Sequence, residues 1–244
     1  MQDIWESSQI VKASEVDVFN RLKITETLNY LQDAASVHAT QLGLGFREMH
    51  RAGLFWVLSW IRLEFSAFPR FGNQVIIQTW PKCPYKMLSI RDFILKFADG
   101  AEFCRASSAW LVVDAATKRA VPLERLPQKI AYQSERVALG ILPEKLTASP
   151  TEVVASRTIQ FSDLDVNMHV NNVRYVEFVM DCYSLDFHRT HQLKTLTMSF
   201  LQETKYGEQL NIALARNGNQ HIIEQNKNTP AVAVWRGIVE WQIV

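Results

Sequence analysis

A chain of 244 residues is long enough for one large domain or two small ones. At 48% hydrophobic and 21% charged residues it has globular composition and can bury a sizeable core without disulfides or metals. The 26 Lys and Arg against 25 Asp and Glu leave a formal charge of +1, which gives no sign of the strongly basic domain usual in nucleic-acid binding.

Cys83, Cys104 and Cys182 are odd in number, widely spaced and without a C-x-x-C pair, so free thiols in a reducing compartment are expected. The start, Met1 to Ser8, lacks a basic stretch followed by an apolar one and reads as neither signal nor transit peptide. No apolar run approaches the ~20 residues needed to span a bilayer. A cytoplasmic protein without a membrane span is the expectation.

In chain order, the first predicted element is a helix over Glu26 to Leu42, with Leu28, Leu31, Ala35, Val37 and Leu42 on its apolar side and Gly43 as its stop. Ile61, Leu63 and Phe65 then alternate with polar residues, which is a half-buried strand. A Phe71-Gly72-Asn73 turn leads into another apolar strand. Strands follow over Leu88 to Phe97 and, after Asp99-Gly100, over Glu102 to Val113. Pro122, Pro127, Pro143 and Pro150 then break all periodicity. Beyond them come a helix over Val173 to Phe187, apolar on too many sides for a surface position, and an alternating strand with Leu196, Met198 and Phe200. Tyr206-Gly207-Glu208 and a strand follow, then His221 to Gln225, a turn near Asn228 to Pro230, and Ala231 to Val244.

The two series are one series written twice. Setting Leu58 to Thr79 against Leu193 to Leu214 brings Leu58, Phe65, Gly72, Gln74 and Ile77 onto identical residues. One buried helix followed by an antiparallel meander, repeated, predicts an α+β chain of two hotdog halves, each a sheet wrapping a central helix. The expected organisation is an N-terminal half over 1–135, a linker over 136–150 and a C-terminal half over 151–244.

The densest polar grouping is Phe161-Ser-Asp-Leu-Asp-Val-Asn-Met-His-Val-Asn-Asn-Val-Arg-Tyr175. Asp163, Asp165, Asn167 and His169 alternate with Leu164, Val166, Met168 and Val170, so an extended segment would line one wall with acid, amide and imidazole. Asn171 or Asn172 is suited to cap the following helix, whose N–H groups favour a carbonyl oxygen that becomes negative. Taken singly, Asp and Asn before a helix are most often turn and capping residues. In the repeat Glu203 stands where the first half has Phe68; an acid whose twin is apolar is either a surface accident or a functional group.

Asp163-Leu-Asp-Val-Asn-Met-His-Val-Asn-Asn-Val-Arg-Tyr175 resembles the signature of the acyl-acyl-carrier-protein thioesterases, the family of the plant oleoyl-type hydrolases and their bacterial relatives. First-half segments resemble it as well: Glu26 to Ala35, Phe55 to Trp60, Pro69 to Gly72 and Arg105 to Trp110. The resemblance implies a tandem hotdog that hydrolyses the thioester between a fatty acyl chain and the phosphopantetheine arm of acyl carrier protein. It assigns Asp165, Asn167, His169 and Glu203 as catalytic. Some relatives place a cysteine after that glutamate, where this chain has Thr204.

In mechanistic terms a carboxylate, Glu203 or Asp165, with His169 would activate water or attack directly, while Asn167 and helix N–H groups hold the oxyanion. No cofactor or metal is expected: His188 and His191 stand three apart without completing a ligand set. The first half, with Asn20 to Thr25 before its helix and no Asp-x-Asn-x-His run, is expected to build the acyl pocket, with Trp56, Trp60, Trp80 and Phe93 as candidate lining residues. The partner is acyl carrier protein, met by a basic contact in the Lys82 to Arg91 region including Lys86, and a homodimer is the candidate assembly. The competing readings are an acyl-CoA thioesterase, a hotdog hydratase or dehydratase, and a non-catalytic acyl-binding regulator.

Overall fold

A computed structural model describes residues 4–147, 152–166, 168–228 and 231–244. The chain divides into two compact units, Met1–Pro143 and Glu144–Val244. The first holds β1 (Trp5–Ile10), a 3-10 turn (Ala13–Glu15), α1 (Ile24–Gln41), α2 (Phe46–Arg51), β2 (Leu54–Phe65), β3 (Gln74–Tyr85), β4 (Leu88–Phe97), β5 (Glu102–Asp114) and β6 (Ala120–Val121). Its strands run β1-β3-β4-β5-β2, all antiparallel, with β6 on β5.

The second unit holds β7 (Glu152–Thr158), a 3-10 turn (Phe161–Asp163), α3 (Asn172–Met180), α4 (Leu185–Thr190), β8 (His191–Phe200), β9 (Gln209–Asn217), β10 (Gln220–Asn228) and β11 (Ala231–Ile243). The order β7-β9-β10-β11-β8, again antiparallel, is the first unit's order strand for strand. Each unit is a hotdog, and the α+β expectation holds.

The repeat extends to backbone detail. Gly72 and Gly207 occupy the same left-handed turn, at φ 82° and 78°, a conformation costly for any residue with a Cβ. In the first unit Val11 N–H bonds Asn73 O at 3.0 Å and Gly72 N–H bonds Val11 O at 2.9 Å; Ile159, Glu208 and Gly207 repeat both bonds at 2.9 and 3.1 Å.

Helix α1 lies on β1 and β3. It buries Leu28, Leu31 and Ala35, and continues that stripe with His38 rather than with Val37, which is exposed; the spacing 28, 31, 35, 38 is the helical period. The buried imidazole is held by polar partners on the sheet: His38 Nδ1 lies 3.0 Å from the Arg91 guanidinium, which also donates to Thr79 Oγ1 at 3.2 Å. The second predicted helix is two. Helix α3 stops at Met180, and Ser184 opens α4 by accepting the Phe187 N–H at 3.2 Å. Asp, Cys and Ser between them are weak helix formers, and Ser is a strong cap.

Residues 136–141, expected in the linker, pack on the first sheet. Trp80 Nε1–H donates to Arg136 O at 3.0 Å and the Arg136 guanidinium stacks 4.4 Å from the Trp80 ring centre. Ala138 N–H donates to Asp92 Oδ2 at 2.8 Å, and Ile141 packs with Trp60, Ile90 and Ala109. The strip covers the face of the sheet opposite α1. That is why β4 is buried on both sides from Ser89 to Leu95 and shows no alternation in sequence. No helix of the described residues is long and apolar enough to cross a membrane.

In the second unit, Tyr183, Phe187, Trp241 and His221 form one aromatic cluster, with the Tyr183 hydroxyl 2.9 Å from His221 Nδ1. Burial pushes the His221 imidazole below its ordinary pKa, with Arg216 and His191 adding to the effect. The folded state therefore favours neutral His221, while the unfolded chain binds the proton near the ordinary imidazole pKa of 6.5. This stability is complete above that value and is lost as pH falls through it toward the folded pKa. Between about pH 7 and pH 5.5, urea unfolding of the wild type should lose more stability than that of His221→Gln; equal slopes would show that this imidazole is not linked to folding.

Candidate active site

The alternation over 163–170 predicts an extended run, and the chain instead turns back on itself. After the 3-10 turn, Leu164 and Val170 pair as an antiparallel bridge, Asp165 N–H donates to His169 O at 2.8 Å, and Met168 N–H donates to Asp165 O at 3.1 Å. Met168 sits at φ 64°, which reverses the chain within four residues. The hairpin prevails over the strand because Asp165 can satisfy its own turn: Asp165 Oδ1 accepts the His169 backbone N–H at 3.2 Å. Among the described residues, Asp163 does not share a wall with His169. Asp163 is fully buried and turned toward Arg174, while Val166 and Met168 at the tip are exposed. Asn167 lies outside the described residues.

The returning arm carries His169 to Glu203. Val170 N–H donates to Thr204 O at 2.9 Å, so the residues just before each, His169 and Glu203, flank one backbone bond. His169 Nε2 stands 3.0 Å from Glu203 Oε2, with the side chains 27% and 52% exposed. An imidazole and a carboxylate in contact, both open to solvent, can accept and return a proton at a bound ester. Asp165 is thus joined to the backbone of His169, and Glu203 to its ring. Behind the pair, burial pushes the Tyr175 phenol up to about 12, with the charges of Glu208, Glu203 and Asp165 adding to the shift, so it stays protonated. Asn171, rather than Asn172, caps α3, its side chain accepting the Val173 N–H at 3.0 Å.

The first unit contains the same frame, which sequence reading missed. Asp17 N–H donates to Arg21 O at 2.8 Å, Asn20 N–H to Asp17 O at 3.0 Å, and Leu22 N–H to Pro69 O at 2.7 Å. Val16 and Leu22 form the bridge, and Asn20 takes φ 59° where Met168 takes 64°. Asp17 Oδ1 accepts the Phe19 and Arg21 N–H groups, each at 2.9 Å. The aspartate is present in both units, while the imidazole and the glutamate are not. Arg21 stands where His169 does and pairs with Asp17 at 2.9 Å; Phe68 replaces Glu203 and stacks on Phe65 with centroids 5.0 Å apart. Asp17-Val18 against Asp165-Val166 was the available signal. The longer helical stretch of the first unit hides it, because one slide of the sequence cannot align both sides of the helix.

The four aromatic candidates do not share a surface. Trp80 and Trp60 lie on the sheet face covered by 136–141. Trp56 donates through Nε1 to Leu44 O at 3.0 Å and packs in the cluster of Leu44, Met49, Leu54 and Val112. Phe93, paired with Thr79 and two residues from Arg91, is on the α1 face. The expected basic contact also shrinks: Arg91 is buried, Lys82 turns to Asp92 at 3.8 Å, and Lys86 remains exposed over the Tyr85 ring. His188 Nε2 lies 3.0 Å from Met180 O, and among the described residues no group of three or more His, Cys, Asp or Glu could hold a metal ion.

Comparison with known proteins gives this geometry a context. Residues 2–127 match the acyl-ACP thioesterase N-terminal domain and residues 148–241 the C-terminal domain. The chain is 29% identical over 210 residues to palmitoyl-acyl carrier protein thioesterase of Gossypium hirsutum, covering 79% of this chain and 50% of that one. To oleoyl-acyl carrier protein thioesterase 2 of Arabidopsis thaliana it is 29% identical over 218 residues, covering 80% and 58%. The chain thus spans about half the length of the curated relatives it matches. Among solved structures, an acyl-ACP thioesterase from Bacteroides thetaiotaomicron superposes with a TM-score of 0.92 at 24% identity over 98% of each chain. The 12:0-ACP thioesterase from Umbellularia californica gives 0.83 at 20% identity over 100% and 99%; both carry the fold. With both domain models matched in order, this chain belongs to the acyl-ACP thioesterase family.

Proposed function

We propose that the chain hydrolyses the thioester between a fatty acyl group and the phosphopantetheine arm of acyl carrier protein, in the cytoplasm, ending chain elongation. The contact of His169 Nε2 with Glu203 Oε2 at 3.0 Å carries this reading. Water adds to the thioester carbonyl as the pair takes its proton. The tetrahedral intermediate then expels the sulfur, which leaves as a thiol with the proton the pair returns. A thiol is a good leaving group, so this acid–base pair and a donor for the oxyanion suffice. Asn167 is assigned to that donor role on family resemblance.

Asp165 takes a different part. Asp17 Oδ1 accepts the Arg21 N–H as Asp165 Oδ1 accepts the His169 N–H, in a unit with neither imidazole nor glutamate at the matching positions, so the carboxylate belongs to the turn. In the second unit it positions His169, and His169 with Glu203 is the reacting pair. The first unit supplies the acyl pocket in this reading, with Phe93 the aromatic candidate on the helix-facing side of its sheet.

The test is a panel of acyl carrier protein and CoA thioesters of graded chain length, read by release of free thiol. Release from the carrier-protein thioesters is expected; release from the CoA series alone would move the assignment to an acyl-CoA thioesterase, and none at all would refute it. His169→Ala and Glu203→Ala should each lower kcat by about 10² to 10⁴, the usual worth of a positioned acid or base. Asp165→Asn, which keeps an oxygen for the His169 N–H, should retain more turnover than Asp165→Ala. Equal losses in the two would place the Asp165 charge in the chemistry.

A further inference from the structure

We infer that Arg174, acting through the buried Asp163, is a positioning residue for the His169–Glu203 pair. The inference rests on the hydrolysis proposed above and concerns what holds its reacting groups in place. Asp163 is fully buried at the foot of the hairpin. Its Oδ2 accepts the Gln160 N–H at 2.8 Å, and its Oδ1 accepts Arg174 Nε–H and Nη2–H at 3.1 and 3.0 Å. Arg157 Nη2 approaches the same oxygen at 3.6 Å, and Arg174 Nη1 is bonded to Glu177 on its own helix. The guanidinium thereby ties the first turn of α3 to the base of the hairpin.

That base is two rungs from the imidazole. Asn171 N–H donates to Asp163 O at 2.9 Å, Leu164 bridges Val170, and Asp165 N–H donates to His169 O at 2.8 Å. A displacement at Asp163 is carried along this short ladder to His169. The pair 3.0 Å apart tolerates little of it, since a misplacement of about 1 Å can cost 10²-fold in rate.

The copy in the first unit separates what the fold needs from what the site needs. There Glu15 takes the place of Asp163: Glu15 Oε2 accepts the Lys12 N–H at 2.7 Å, and Glu15 O accepts the Lys23 N–H at 2.9 Å. The helix reaches it with a neutral group, the Tyr30 hydroxyl, which donates to Glu15 Oε2 at 2.7 Å. From the helix a phenol is therefore enough; the cation on this acid is Lys12, outside the helix, with Nζ 3.3 Å from Glu15 Oε1. The planar guanidinium, with two N–H donors on Asp163 Oδ1 and its remaining arm on Glu177, occurs in the copy that carries His169 and Glu203, and this rigid donor set fixes direction where a rotatable hydroxyl does not.

Arg174 is partly open to solvent, with its side chain 26% exposed, so a small cation can reach the space it leaves. The experiment measures kcat, KM and thermal melting of wild type, Arg174→Ala, Arg174→Lys and His169→Ala on an acyl carrier protein thioester, with and without millimolar guanidinium chloride. Arg174→Ala should lose about 10- to 100-fold in kcat with KM changed less than about threefold. Guanidinium should restore its kcat while leaving wild type and His169→Ala unchanged. Arg174→Lys, which keeps the charge without the fork, should fall between wild type and Arg174→Ala and melt near wild type. Unchanged kcat in Arg174→Ala, or a loss that guanidinium does not relieve in a protein that still melts cooperatively, would overturn the inference. If Arg174→Ala does not fold, Arg174→Lys decides: lowered kcat at a wild-type melting temperature supports the inference, and wild-type kcat overturns it. Absence of thiol release from wild type would count against the hydrolysis reading instead.

Discussion

The backbone bond from the Val170 N–H to the Thr204 carbonyl joins two stretches that lie on opposite sides of helices α3 and α4 in the chain. His169 and Glu203 each precede one end of it, and their contact follows from it. Neither side chain needs long-range guidance, because the peptide groups beside them are already paired. The bond itself depends on the hairpin at 165–168, which turns Val170 back toward the segment after β8 and is closed by Asp165. A backbone hydrogen bond is an inexpensive way to hold two side chains in contact, since the peptide polar groups would require partners there in any case.

The two units separate scaffold from chemistry. Both have the 3-10 turn, the acid at its end, the left-handed hairpin residue and the backbone bond across to the start of the Gly72 or Gly207 turn segment. One presents Arg21, paired with Asp17, and Phe68, stacked on Phe65. The other presents an imidazole and a carboxylate to solvent. Side chains exchanged on a constant backbone account for the difference, and Asp17 and Asp165 mark what remained constant.

Much of this was legible in the residues. Gly72 and Gly207 announced their turns because a left-handed backbone selects glycine. Leu28, Leu31 and Ala35 announced α1 by period, and Glu203 stood out because its twin was Phe68. Other features were not legible for physical reasons. The hairpin at 165–168 places Met168 in a left-handed conformation that its residue type does not signal, and polar–apolar alternation there imitates a strand. Residues 136–141 look like linker because prolines on either side remove periodicity, yet Trp80 and Asp92 hold them by bonds to Arg136 O and the Ala138 N–H, which no local pattern reports. Trp60, Trp80 and Phe93 could not be assigned to faces until the strand register was known.

The central claim is that His169 and Glu203 act as one unit because the backbone holds them in contact. A double-mutant cycle on turnover of an acyl carrier protein thioester tests it most directly, using His169→Ala, Glu203→Ala and the two combined. Residues that act together are non-additive, so the double variant should be no slower than the slower single variant by more than about threefold. Losses that multiply would show two independent residues and would contradict the account.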